Sequence, residues 1–224
     1  SGCKENGRSV GHYGGLGMQY ANDDDGNRIE ATPDGRGLCP SCDSRVIAKC
    51  GGIKVWHWAH MASDCDAWHE DMTQWHIDWQ AKFPAECREM VIFQDGDIHR
   101  ADIALPSGRI IEFQHSPISV EEISERERFY GTNMIWVFDI TDVCGSGRFS
   151  VRNKETHCTF RWKWARTSLA YTRQPTFLDM GDGRLFEMRK MHRTAPHAGW
   201  GHIVSLDRFI ASCPFEPQIE MCSL

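Results

Sequence analysis

Residues 98–116 read IHRADIALPSGRIIEFQHS and set two acids and an amide where they could act together. In IHRADIAL, Arg100 and Asp102 alternate with Ala101 and Ile103. In RIIEFQH, Glu112 and Gln114 alternate with Ile111 and Phe113. Alternation with period two marks a strand. Pro106, Ser107 and Gly108 between the runs suit a turn, since proline presets φ and glycine accepts positive φ. Counting outward from that turn, Leu105 pairs with Arg109, Ala104 with Ile110, Asp102 with Glu112, and Arg100 with Gln114. Two carboxylates directly opposite each other destabilise an antiparallel pair, so a divalent cation is the expected compensation. Asp102 and Glu112 would hold Mg²⁺ or Mn²⁺, and Gln114, on the same face, would orient a water or contact a phosphate. That is the equipment of a metal-dependent phosphodiesterase. Taken alone, Asp102 could instead pair with Arg100 or Arg126.

A second group of residues suits a different metal. LCPSCDSRVIAKCGGIKVWHWAHMASDC, residues 38–65, holds Cys39 and Cys42 in a CxxC, a hairpin turning at Gly51-Gly52, then His57, His60 and Cys65. Zinc takes four tetrahedral N/S ligands, and a CxxC knuckle supplies two from one tight turn. The second pair is either His57 with His60 or His60 with Cys65. His57 and His60 point to opposite faces of an extended strand, which favours His60 with Cys65. Four protein ligands leave no open position, so the expected role of this Zn²⁺ is structural.

Helices and strands must position these groups. From Asp66 to Phe83, Trp68, Met72, Trp75, Trp79 and Phe83 recur at helical spacing. Beside that stripe runs a second one, His69, Thr73, His76 and Gln80, which could bring His76 and Glu70 to the hairpin acids. EMVIF (89–93) reads as a strand. SVEEISERERFYG opens with Ser119 and has Glu122 three residues on, a capping box, and ends at Gly131. MIWVF (134–138) is a continuous apolar run, as in a strand buried on both faces. The order is helix, three strands, helix, strand. Residues 1–37, rich in Gly, Asn and Asp, read as a turn-rich lead-in with one short strand. After Cys144 the pattern weakens to short strands near 157–164 and a mixture of helix and loop.

The chain has 224 residues, 41% hydrophobic and 25% charged, as in a soluble globular protein. No apolar run approaches the ~20 residues that cross a membrane, and the first residues carry no export pattern. Ten scattered cysteines with one CxxC fit a reducing cytoplasm better than a disulfide framework. The net charge of −6 is unevenly spread: residues 1–150 carry −10 and residues 151–224 carry +4. In the basic part, Arg161, Lys163 and Arg166 alternate with Trp162 and Trp164. That pattern suits phosphate contact with base stacking and equally suits a strand with aromatics in the core and cations in water.

WHWAH, TQWHIDW, HRADIAL, IEFQHSPIS, EEISERERFY and MIWVFD, in this order and spacing, resemble the competence protein CoiA-like nucleases of the PD-(D/E)xK superfamily. The resemblance covers about residues 35–140. It implies an α/β fold with a mixed sheet: a restriction-endonuclease-like αβββαβ core at 66–143, a zinc-finger-like module at 38–65 before it, and a C-terminal extension at 144–224. It also implies a metal-dependent deoxyribonuclease, with Asp102 and Glu112 as the two strand acids. Gln114 then stands where many members have lysine, and His76 is the helix histidine. Met72 and Gln74 occupy positions where relatives often carry an acid, so a third metal ligand would come from Glu70, Asp71 or water. DNA is the implied partner, without a membrane, and a homo-oligomer or other DNA-processing proteins are compatible with that role. The competing readings are a non-catalytic DNA-binding scaffold that keeps the fold, and a zinc-dependent hydrolase using the Cys/His cluster.

Overall fold

The computed structural model describes residues 17–52, 54–61, 65–66, 68 and 72–215. Five short strands come first: β1 (Tyr20–Asn22), β2 (Arg28–Glu30), β3 (Arg36–Leu38), β4 (Arg45–Lys49) and β5 (His57–His60). They form an antiparallel sheet in the order β2-β1-β3-β4-β5. Its core is small, built on Met18, Ala21, Val46, Cys39 and the fully buried Trp58, whose indole N–H donates to Ile29 O at 3.1 Å. A core of this size needs a staple.

Helix α1 (Gln74–Gln80) starts from Thr73, whose hydroxyl accepts the His76 N–H at 3.2 Å. The periodicity predicts a helix from Asp66, and the observed one is only seven residues long. Asp66 explains the difference. Its carboxylate accepts the N–H groups of Trp68 and Arg100, both at 2.9 Å, and meets His99 Nδ1 at 2.8 Å. A side chain that satisfies backbone groups in this way competes with helix formation. His69, Glu70 and Asp71 lie outside the described residues.

The rest of the chain builds one mixed sheet. Its elements are β6 (Arg88–Gln94), β7 (Asp97–Ala104), β8 (Ile110–Gln114), α2 (Val120–Tyr130), β9 (Met134–Asp139), α3 (Thr141–Gly145) and β10 (Phe149–Asn153). They continue with β11 (Cys158–Trp162), β12 (Thr176–Asp179), β13 (Arg184–Met191), β14 (Ala198–Ser205) and α4 (Leu206–Ala211). The strand order is β10-β11-β14-β13-β12-β9-β8-β7-β6. Only the β8–β9 and β9–β12 pairs are parallel, and β9 is buried along its whole length. The helix, three strands, helix and strand read from residues 66–138 appear in that order. Ser119 caps α2 by accepting the Glu122 N–H at 3.0 Å, and Gly131 ends it with φ 70°.

Two cores lie on opposite faces of this sheet. On one, α2 packs over Trp136, Phe138, Phe160, Phe186 and Met188. On the other, α1 and α4 bring Trp79 and Phe209 against Phe113, Val137 and Leu185. Trp75 and Trp79 both donate their indole N–H to Asp179 Oδ2 at 2.8 Å, which pins α1 to the far strand β12. Residues beyond Cys144 add β10 to β14 to the same sheet, where the sequence suggests only strands near 157–164.

Candidate active site and metal centre

The turn closes as counted: Leu105 N donates to Arg109 O and Gly108 N to Leu105 O, each at 2.9 Å. The β7–β8 ladder pairs Ala104 with Ile110 and Ile103 with Ile111. Beyond these pairs the carboxylates replace the ladder. Asp102 N–H donates to Glu112 Oε1 at 3.3 Å, and Phe113 N–H donates to Asp102 Oδ2 at 2.7 Å. Each acid thus plugs into the backbone of the other strand, and the strands part where the acids sit. Arg100 consequently does not face Gln114; it pairs with Val91 on β6.

His76, buried on α1, places Nε2 at 2.7 Å from Asp102 Oδ1. Arg126, one of the two arginines that could pair with Asp102, reaches Glu112 instead, with its guanidinium donating to Glu112 Oε2 at 3.0 Å. Both members of that pair are buried, Glu112 to 2% exposure. Burial first, and the charge of Asp102 second, raise the Glu112 pKa to about 8 against the opposing pull of Arg126. A cavity of about 30 Å³ sits over these groups, lined by Gly17, Trp68, Met72, His76, Glu89 and Arg100 together with Asp102, Glu112, Phe113 and Arg126. That volume holds an ion or a water and no phosphodiester. Gln114 is buried outside this lining, and its amide donates to Ser116 O at 3.2 Å.

Sequence reasoning does not place Glu89, Asp66 or Arg126 in this site. Arg126 had a signal, because Ile123, Arg126, Glu127 and Tyr130 share the buried stripe of α2. Charged groups on an apolar stripe need buried partners. Glu89 and Asp66 had none, because their partners lie far off in sequence: the N–H groups of Gln19 and Tyr20 for Glu89, His99 and Arg100 for Asp66.

In the small sheet, Cys39, Cys42, His60 and Cys65 place their donor atoms within 4.8 Å of one another, a Cys₃His set that could hold a metal ion such as zinc. Cys39 Sγ and Cys65 Sγ are 3.6 Å apart, and Cys42 Sγ and His60 Nε2 are 3.5 Å apart. These are the separations expected at the corners of a tetrahedron with bonds of ~2.0–2.3 Å. The Cys39–Asp43 turn forms the knuckle, with Asp43 N donating to Cys39 O at 2.9 Å. Burial pushes the Cys39 and Cys65 thiols up. At Cys42 it is outweighed by hydrogen bonds from Ser44, His60 and Cys65, which bring that thiol down to about 6. His57 stands apart, buried against Gly17 with Nδ1 at 2.8 Å from Val55 O. The donor atoms brought together are therefore those of the His60 and Cys65 alternative.

Arg161 projects into solvent between the buried Phe160 and Trp162, so along β11 the aromatics are core and the cation is in water. Lys163 Nζ lies 4.5 Å from the ring centre of the exposed Trp164, and Arg166 precedes a short turn of helix at Thr167–Tyr171. None of the three lines the acid cavity.

A Cys/His module joined to a mixed sheet with inserted acids describes a nuclease-like class of protein. In agreement, residues 70–193 match a family model described as competence protein CoiA, nuclease-like domain, and residues 27–67 match competence protein CoiA, N-terminal domain. The chain belongs to the competence protein CoiA family. No curated protein and no solved structure shows a significant match to it. Among the described residues no helix is long and apolar enough to cross a membrane.

Proposed function

We propose that the chain is a divalent-metal-dependent deoxyribonuclease of PD-(D/E)xK type. The observation that carries this reading is the parting of β7 and β8 at Asp102 and Glu112, where two carboxylates from neighbouring strands converge on a cavity of ionic size. Both acids accept one backbone or side-chain hydrogen bond per oxygen, which leaves second lone pairs for a cation. Burial first and the charge of Asp102 second raise the Glu112 pKa, and a cation between the acids would oppose both. When bound, Mg²⁺ or Mn²⁺ supplies Lewis acidity toward a phosphoryl oxygen and acidifies water.

The residues of the chain then divide the work. Asp102 and Glu112 hold the ion. His76 fixes the Asp102 carboxylate from α1. Gln114 lacks the charge of the lysine found there in many relatives; its amide donates to Ser116 O outside the cavity lining, so a role in orienting water or phosphate would need that side chain to turn toward the acids. Arg126 provides the fixed cation nearest the acids. At the Cys₃His set the reading is Zn²⁺ in a structural role, since four ligands leave no position for a substrate.

A second reading is favoured by the size of the cavity. Gly17, Trp68 and Met72 cover the acids so closely that a phosphodiester enters only if they move, which suits a DNA-binding protein that has kept the fold without the activity. Nicking of plasmid and degradation of single-stranded DNA in Mn²⁺, Mg²⁺ or EDTA separates the two. Metal-dependent cleavage that falls roughly 100-fold or more in both Asp102→Ala and Glu112→Ala supports the nuclease. Cleavage that persists in EDTA overturns it, and DNA binding without cleavage selects the second reading.

A further inference from the structure

Strand β14 carries its large residues on the wrong side for a core. Gly199 and Gly201 lie on its buried face, and Trp200, 40% exposed, and His202 lie on the other. Packing demands the glycines. A Cβ at 199 would meet the Phe160 ring at 2.7 Å and Lys190 O at 1.9 Å; one at 201 would meet the Phe186 ring at 2.7 Å and Glu187 O at 2.0 Å. Rings from the neighbouring strands therefore fill the space beneath β14, and the core there is complete without Trp200.

The outer face around Trp200 is cationic. Register sets Arg152, Thr159, Trp200 and Lys190 in one row across β10, β11, β14 and β13, and Arg161 in the next row between Ser150 and Ala198. Residues paired in register project from the same face, and Arg152, Arg161 and Lys190 are all exposed. The rings of His157 and His202 stand edge-on to Trp200, with centroids at 5.9 and 6.1 Å. Glu187, the partner of His202 on β13, has its charge taken up by Arg189 at 2.7 Å.

We propose that this face is a platform for single-stranded nucleic acid, with a base stacked on Trp200 and phosphates held by Arg152, Arg161 and Lys190. An exposed ring amid fixed cations is complementary to a polyanion whose bases are free to stack, whereas a duplex keeps its bases inside. The inference deepens the nuclease reading and rests on it for the role of the bound strand as substrate. The row Glu112, Trp136, Thr176, Met188 and Gly201 runs straight across the sheet. That row ends on the buried face of β14, so the platform lies four strands from Glu112, about 19 Å at ~4.8 Å per strand, and on the opposite face of the sheet. A bound strand would have to pass round the sheet edge to reach the acids.

The test is fluorescence anisotropy of the full chain with labelled oligo-dT, oligo-U and a DNA duplex, all in EDTA. Trp200→Ala weakens single-strand binding roughly 5- to 100-fold, Trp200→Phe retains most of it, and duplex binding is unchanged. Arg161→Ala lowers the slope of log affinity against log salt by about 0.7. Unaltered oligonucleotide binding by Trp200→Ala overturns the platform, as does an equal loss on the duplex. Mn²⁺-dependent hydrolysis of bis(p-nitrophenyl) phosphate reads the acid site separately and is unchanged in Trp200→Ala. If the wild-type chain does not hydrolyse it, the nuclease reading fails while the oligonucleotide data still decide the platform.

Discussion

Glu112, by its burial, has a higher affinity for a proton than the same carboxyl in the unfolded chain. Its folded pKa is raised from 4.5 to about 8, so between those values the native state binds more protons, and stability falls as pH rises through that window. In EDTA the melting temperature is expected to drop between about pH 4.5 and about pH 8, to drop less in Mn²⁺, and to lose this component in Glu112→Gln. An unchanged slope in that variant would place the titration elsewhere. The buried partner gives a second expectation. Above about pH 8, where Glu112 is ionised, Arg126→Met leaves that charge without its cation and costs about 3–5 kcal/mol in denaturant unfolding, much of it recovered in the double variant with Glu112→Gln. At this scale the sequence is informative where chemistry follows local spacing. The two acids are readable from strand alternation and His76 from a helical stripe, whereas Gln114, read beside them, lies outside the cavity lining. Arg126 as the partner of Glu112 is not, because which buried acid an arginine reaches depends on how α2 lies across the sheet.

With a metal in the Cys₃His set, the small sheet would hold together through those ligands more than through its core. Its strands are three to five residues long, too short to bury much apolar surface, so metal binding there is folding free energy. Stripping the metal with a strong chelator is expected to open residues 17–65 to limited proteolysis while the large sheet resists. His60→Ala and Cys65→Ser should lose zinc by mass spectrometry, and His57→Ala should keep it. Zinc retained without His60 would remove that residue from the set. The CxxC and the hairpin that returns the second pair are local signals, so this element is legible in the sequence. Helix α1 is less so: periodicity reports a stripe but not the bonds from Asp66 to Trp68, His99 and Arg100. Strand β14 is illegible for another reason. Its GWGH pattern puts glycine where a core residue belongs, because the filling comes from Phe160 and Phe186 on other strands.

Across the whole molecule, Glu89 joins the two sheets. With φ 44° it turns its carboxylate to accept the N–H groups of Gln19 and Tyr20 at 2.9 and 3.2 Å, and it forms one wall of the acid cavity. Glu89→Ala leaves those donors unpaired at a cost of about 1–3 kcal/mol. Amide exchange at Gln19 and Tyr20 should quicken in that variant ahead of exchange in β9; parallel changes throughout would deny Glu89 a local role. Asp179 makes the longer link. It grips Trp75 and Trp79 from 104 and 100 residues further along the chain. At a synthesis rate of roughly 5–20 residues per second, α1 therefore leaves the ribosome about 5–20 s before its anchor exists. His76 rides on that helix, so a half-made chain already possesses Asp102, Glu112 and Gln114 yet has no seated histidine to complete them. Seating of His76 beside the hairpin acids therefore waits on Asp179, which is made well after the hairpin that carries Asp102 and Glu112.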